Sequence, residues 1–215
     1  MSDQRTLSQV QRSALRELVR ATPVIGEVGR RFQEAGHEIA LVGGPVRDLL
    51  MSRLSSDLDF ATSARPDDIE GCLAGWVDAS WDVGRDFGTI GAMVGGWTLE
   101  ITTYRADAYD AASRKPEVSY GDDLEGDLAR RDFAVNAMAV VLPDLRFVDP
   151  FGGMDDLLGR LLRTPGTPAQ SFGDDPLRML RAARFAAQLQ FSVSPDVVDA
   201  MRDMADRLEI VSAER

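Results

Sequence analysis

"LVGGPVRDLLMSRLSSDLDFAT", residues 41–62, joins the end of an apolar strand, two glycines, a short helical pattern and a second strand that carries Asp57 and Asp59. Side chains on a strand alternate between faces, so both carboxylates point the same way, with alpha-carbons roughly 6.5 to 7 Å apart. Leu58 and Phe60 take the other face. Two readings fit such a D-x-D: a solvated face of an edge strand, or a seat for two divalent cations about 3.5 to 4 Å apart. Just upstream, Gly43-Gly44 follows the buried strand "EIALV" (38–42) and opens a helix. Glycines there let backbone N–H groups approach a phosphate beside the positive end of the helix, and they serve equally well as turn formers. Arg47 suits a phosphate, and Asp48 suits the helix dipole.

Composition narrows the chemistry. With 215 residues and 44% apolar content, the chain has room for one large domain, or one domain and part of a second, around a real core. No run of about eighteen apolar residues occurs, and "MSDQRTLSQV" lacks the order of a secretion signal, which predicts a cytoplasmic protein with no membrane partner. Cys72 is the only cysteine and His37 the only histidine, which sets aside disulfides, cysteine-cage zinc and histidine triads. Any metal must then sit on carboxylates and phosphates, which points to a hard cation such as magnesium. A net charge of −11 argues against a general nucleic-acid coat. Lys115 is the only lysine, so nearly every cation is an arginine, through genome composition or through a need for bidentate phosphate and base-edge contacts.

Helical spacing predicts a helix over about Leu7–Arg20 and a second from Thr22-Pro23 to near Gly36. A helix with Pro66 at its first position should follow the D-x-D strand, then a strand near 76–82, then two strands joined at Gly95-Gly96. From Ala106 to Asp123 the pattern reads as a long polar loop. "LEGDLARRDFAVNAMAVVL" passes from helix to strand, and "DPFGG" (149–153) is a turn cluster and a hinge candidate. Helices are expected over Pro176–Leu189 and Val197–Leu208, with Val197, Met201, Met204 and Leu208 as a core stripe. The fold class is α+β: a palm-like mixed sheet with helices over residues 1–145, then an all-α segment over 146–215 that reads as the start of a longer helical region.

Four stretches in order, from Leu41 to Phe185, carry a family resemblance. "GGPVRD" followed by "DLD" resembles the GGxVRD and DxD signature of class II CCA-adding enzymes and bacterial poly(A) polymerases. "RRDFAVNAMA" (130–139) resembles their RRDxxxN motif, "DPFGGMDDL" (149–157) their hinge, and "DDPLRMLRAARFA" (174–186) their EDxxR helix. Ser52 stands where relatives often carry glycine, and Asp174 where they carry glutamate, one methylene longer.

The resemblance implies a template-independent nucleotidyltransferase that adds CCA to the 3' end of tRNA from CTP and ATP by two-metal in-line transfer. Poly(A) addition, or addition of C or A alone, is the alternative within the class. A non-catalytic nucleotide- or RNA-binding module is the alternative outside it. Carried over by position, Gly43 and Gly44 would hold the triphosphate, Asp57 and Asp59 two Mg2+ ions, and Arg131, Asp132 and Asn136 the ribose and phosphates. Asp175 and Arg178 would face the Watson–Crick edge of the incoming base, with Asp174 orienting Arg178, while Arg181 shares the helix face of Arg178. Each has a plainer reading. Asp175 before Pro176 makes a good helix cap, Arg178 and Arg181 could be solvated, and Arg130-Arg131-Asp132 could be a surface ion-pair cluster. Glu100, alternating against Leu99 and Ile101, is either a third catalytic carboxylate or a solvent-facing side chain. The loop with Asp110, Arg114, Lys115 and Pro116 resembles the family's flexible loop. The resemblance implies further body and tail domains that grip tRNA, and with the expected region limited to head and neck, tRNA binding by the chain itself is expected to be weak.

Overall fold

The computed structural model describes residues 9–53, 56–108, 117–121 and 123–210. Helices α1 (Gln9–Ala21) and α2 (Pro23–Glu34) come first, with Pro23 at the first position of α2, where its missing N–H is not needed. Val24, Ile25, Val28 and Phe32 form the buried stripe of α2. Then follow β1 (Ile39–Val42), α3 (Gly44–Leu50), β2 (Asp57–Thr62), α4 (Pro66–Leu73), β3 (Ala79–Trp81), β4 (Thr89–Val94) and β5 (Trp97–Thr103). Gly95 and Gly96, with φ of 56° and 83°, close the β4–β5 hairpin, which needs positive φ at both central residues. Ser52, in place of the family's glycine, takes φ of 57°, a left-handed conformation that glycine adopts without steric cost.

The stretch predicted as a polar loop holds a hairpin. Strands β6 (Arg105–Ala108) and β7 (Glu117–Tyr120) pair antiparallel, from Arg105 opposite Tyr120 to Ala108 opposite Glu117. Main-chain hydrogen bonds supply this order, so no apolar alternation marked it. Residues 109–116, with Asp110, Arg114, Lys115 and Pro116, lie outside the described residues.

Helix α5 (Leu124–Ala129) starts on Asp123, whose side chain accepts from the Gly126 N–H. A 3-10 turn (Ala134–Asn136) leads into β8 (Ala139–Leu142) and β9 (Arg146–Val148). Strand β9 pairs with β8, so the sheet runs to Val148, past the expected limit at 145. Beyond it come α6 (Gly153–Gly159), β10 (Leu161–Leu162), α7 (Pro168–Asp174), α8 (Leu177–Leu189), β11 (Ser192–Val193) and α9 (Pro195–Asp203). The parallel β10–β11 pair interrupts this otherwise helical part. Val197 is fully buried with Phe172 and Met179, and Met201, Met204 and Leu208 pack against them as the stripe predicted.

Seven strands form one sheet in the order β3-β4-β5-β2-β1-β8-β9, with β2 parallel to β5 and the other neighbours antiparallel. One face carries Ile39, Leu41, Leu58, Phe60, Leu99 and Ile101 into the main core, which the α2 stripe also joins. The other face is covered only in part, where Ala40, Val42, Ala61, Ala139 and Val141 pack with Leu124 and Leu128 of α5. Asp57 and Asp59 alternate onto that second face, beyond the edge of α5. Among the described residues no helix is long and apolar enough to cross a membrane.

Candidate functional site

The sheet register gathers three carboxylates. Asp59 of β2 lies opposite Glu100 of β5, and Asp57 lies opposite Thr98 one row along. Asp57 and Glu100 are exposed and Asp59 is half-buried. Burial pushes the pKa of Asp59 up; Glu100 and Asp57 push in the same direction, and the Arg131 guanidinium opposes them. Such a group is short of positive charge, and an all-oxygen donor set suits a hard divalent cation. Among the described residues no group of three His, Cys, Asp or Glu side chains is arranged to enclose an ion. Magnesium fits this arrangement, because it is commonly held by one or two carboxylates and completed by phosphates and water.

On the β1 side of Asp59 lies a cleft of about 440 Å³. Its floor begins at Gly43, which caps α3 with φ of 71°. The reason for glycine is Arg131, whose guanidinium crosses the turn: a Cβ on residue 43 would come within 2.8 Å of Nη1. Arg131 is itself held by the buried Asp127, its Nη2 donating to Oδ2 at 3.0 Å. Gly43→Ala therefore meets both a left-handed backbone and a blocked space. We expect it to lower stability by about 1–2 kcal/mol in a urea melt and to weaken CTP binding, and an unchanged melt would contradict this packing.

A polar chain lines the cleft wall. Arg47, 5% exposed, donates from Nη1 to Asn136 Oδ1 at 2.6 Å and from Nε to Asp48 at 2.8 Å. Asn136 Nδ2 donates to Asp132 Oδ1 at 3.0 Å, and Arg181 Nε donates to Asp132 Oδ2 at 2.7 Å. The amide orientation follows from its partners, since arginine only donates and carboxylate only accepts. Read from the sequence as a phosphate holder, Arg47 is thus also the side chain that fixes Asn136.

Helix α8 closes the cleft. Arg178 is buried and donates from Nη1 to the Ser171 carbonyl at 3.3 Å and to Ser171 Oγ at 3.0 Å, and from Nη2 to the Arg130 carbonyl at 2.5 Å. Asp175 accepts from the Leu177 N–H at 3.0 Å, so it performs the capping role and faces the cleft as well. The "DPFGG" turn seats the start of α6 against the 134–136 turn. Asp149 accepts from the Gly153 and Met154 N–H groups, and Gly153 packs so closely on the Ala134 carbonyl that no side chain fits.

Ten of the thirteen predicted residues line this one cleft: Gly43, Gly44, Arg47 and Asp59 from the first motif, Arg131, Asp132 and Asn136 from the second, and Asp175, Arg178 and Arg181 from α8. Asp57 and Glu100 stand beside Asp59 on the sheet face. Asp174 lines an adjoining cavity of about 170 Å³, whose wall also includes Arg131 and Arg178. Two further residues line the cleft, Arg130 and Phe185. In the sequence Arg130 reads only as part of an ion-pair cluster. Phe185 is ringed by the guanidiniums of Arg47, Arg181 and Arg184, 5.0 to 5.5 Å from its centroid. Its spacing from Arg181, four residues along α8, was the available signal.

Comparison with known proteins agrees with this geometry. Residues 39–163 match the family described as the poly A polymerase head domain. The CCA-adding enzyme of Bacillus subtilis (strain 168) is 41% identical over 198 residues, covering 92% of this chain and 48% of that protein. The crystal structure of the Bacillus stearothermophilus CCA-adding enzyme in complex with CTP superposes with a TM-score of 0.78 at 36% identity, over 87% of this chain and 44% of that one. A tRNA nucleotidyltransferase complexed with a primer tRNA and an incoming ATP analog gives a TM-score of 0.69 at 32% identity, over 84% and 50% of the two chains. The chain spans about half the length of the curated relatives it matches. With the family match covering more than half of its residues and the motif residues meeting in one cleft, the chain belongs to the poly A polymerase head-domain family.

Proposed function

We propose that this chain is the nucleotide-transferring part of a CCA-adding enzyme, a tRNA nucleotidyltransferase that works in the cytoplasm on CTP, ATP and the tRNA 3' end. The observation that carries the proposal is the convergence of the Gly43 turn, Asp59 and the Arg178 face of α8 on one cleft. The head ends and the helical neck begins about the turn at 149–153.

In this reading the Gly43 and Gly44 backbone and Arg131 hold the triphosphate, while Asp132 and Asn136 hold the ribose. Asp175 accepts from the exocyclic amino group that cytosine and adenine share, and Arg178 donates to a ring nitrogen or carbonyl. Protein side chains replace a nucleic-acid template. Asp57 and Asp59 would hold magnesium, which lowers the pKa of the attacking hydroxyl and neutralises the leaving pyrophosphate. The primer's 3'-oxygen forms a bond to the α-phosphorus, the bond to the bridging oxygen breaks, pyrophosphate leaves with that electron pair, and the hydroxyl proton passes to water.

The family description favours one second reading, poly(A) addition from ATP alone. Titration of this chain with CTP, ATP and tRNA tests the proposal. CTP and ATP should bind with magnesium and bind less tightly once a chelator removes it. With the charge at −11, tRNA should bind weakly, and sub-micromolar tRNA affinity would contradict the expected dependence on further domains.

A further inference from the structure

The nucleotide cleft occupies one side of Asp59, toward β1 and α8. An in-line displacement requires the attacking hydroxyl to arrive from the side opposite the leaving group. On that side the sheet continues through β5, β4 and β3, and its second face is not covered by α5. The register sets Trp81 opposite Gly91, Gly91 opposite Glu100, and Glu100 opposite Asp59, so one straight row leads from an indole to the carboxylates.

The row is built in an unusual way. Strand β3 is the sheet edge and all three of its residues are exposed. Trp81, 39% exposed, does not turn into the main core. Its indole lies across Gly91, where a Cβ would come within 2.0 Å of the ring nitrogen. The glycine thereby gives the indole a backbone floor and leaves the outer side of the ring to solvent. Met93, 43% exposed, is on the same face one row along, opposite Ala79 and Thr98. In the other direction, Arg105 Nη2 donates to Thr89 Oγ1 at 2.9 Å, and Thr89 faces Thr102. An arginine and an exposed indole therefore share the face that ends at Asp59. The indole lies about two strand spacings, roughly 10 Å, from Asp59.

Resting on the reading under Proposed function, we propose that Trp81 on its Gly91 floor is the stacking platform for the terminal base of the single-stranded RNA primer, with Arg105 toward the preceding phosphate. The pairing of a stacking ring with a cation is how proteins hold single strands without reading their sequence. That tolerance suits a primer that ends in one base before the first addition and in cytosine before the later ones. The row and the nucleotide cleft meet at Asp59, which belongs to both.

The test is titration of this chain, with magnesium and a non-hydrolysable CTP analogue, with a short single-stranded RNA ending in ACC, up to millimolar RNA. Tryptophan fluorescence should be quenched as the RNA binds. Trp81→Leu should raise the RNA dissociation constant about tenfold or more, since one stacked base is worth that much, while Trp81→Phe should retain most of the affinity. Affinity for the CTP analogue should stay the same in both variants, which also shows that they fold. Equal RNA affinity for Trp81→Leu and the unaltered chain would overturn the proposal. So would the absence of quenching at saturating RNA, or light scattering that shows a dimer which Trp81→Leu converts to a monomer. Failure of the CTP analogue to bind the unaltered chain would overturn the underlying reading instead.

Discussion

Alanine at Asp57 or at Asp59 is expected to lower nucleotide incorporation by at least about a thousandfold in the full-length gene product, with the fold retained. Neither side chain supports the core. Asp57 is exposed, and Asp59 points away from Leu58 and Phe60, which are 3% and 1% exposed on the opposite face. Loss of either carboxylate should therefore remove chemistry and leave far-UV circular dichroism unchanged. Asp59→Asn sharpens the prediction. The charged form of Asp59 is disfavoured in the folded chain by burial, by Glu100 and by Asp57. The asparagine variant should accordingly melt at a higher temperature than the parent in metal-free buffer at neutral pH, while losing activity. Stability held in reserve against function is a mark of a site arranged for a ligand. Near-normal incorporation by either alanine variant would remove Asp57 and Asp59 from the reaction.

Replacing Arg178 should damage the choice of nucleotide more than the rate. Its guanidinium has five donors, and three hydrogen bonds to Ser171 and the Arg130 carbonyl fix the plane of the group. The remaining donors belong to a side chain that lines the cleft. A well-placed pair of this kind is worth about 1–3 kcal/mol of discrimination, so Arg178→Ala should reduce the preference for CTP over UTP by roughly 10- to 100-fold. The variant also takes the donor from the half-buried Arg130 carbonyl, while the Ser171 carbonyl keeps the Asp175 N–H, so the loss of stability should be about 1 kcal/mol. The ratio of kcat/KM for the two nucleotides separates these effects, because a purely structural loss lowers both values together. Lysine should not restore the ratio, since it lacks the planar fork. An unchanged ratio in Arg178→Ala would assign base selection to other residues.

Much of this site was legible in the sequence because its parts obey local rules. Strand alternation put Asp57 and Asp59 on one face, Gly43-Gly44 marked a turn before a helix, and Glu100 alternated out of the core as the register later placed it beside Asp59. What was not legible depends on contacts between distant residues. Arg47 reaches Asn136 across 89 positions, and nothing in "GGPVRD" predicts that partner. Phe185 gathers three arginines only after α8 has packed against the Asp132 stretch. The β6–β7 hairpin, the three-residue β9 and the two-residue β10 and β11 are too short, or too polar, to carry a period, and pairing creates them. Adjacency in the sequence groups Asp174 with Asp175, yet α7 ends between them, and Asp174 lines the adjoining cavity.

The central claim is tested most directly by supplying the full-length gene product with magnesium, labelled CTP and ATP, and tRNA lacking its 3' CCA. The account predicts two cytidines and then one adenosine on each tRNA, with CTP alone giving only cytidines. Tails of adenosine alone, or no incorporation at all, would contradict it.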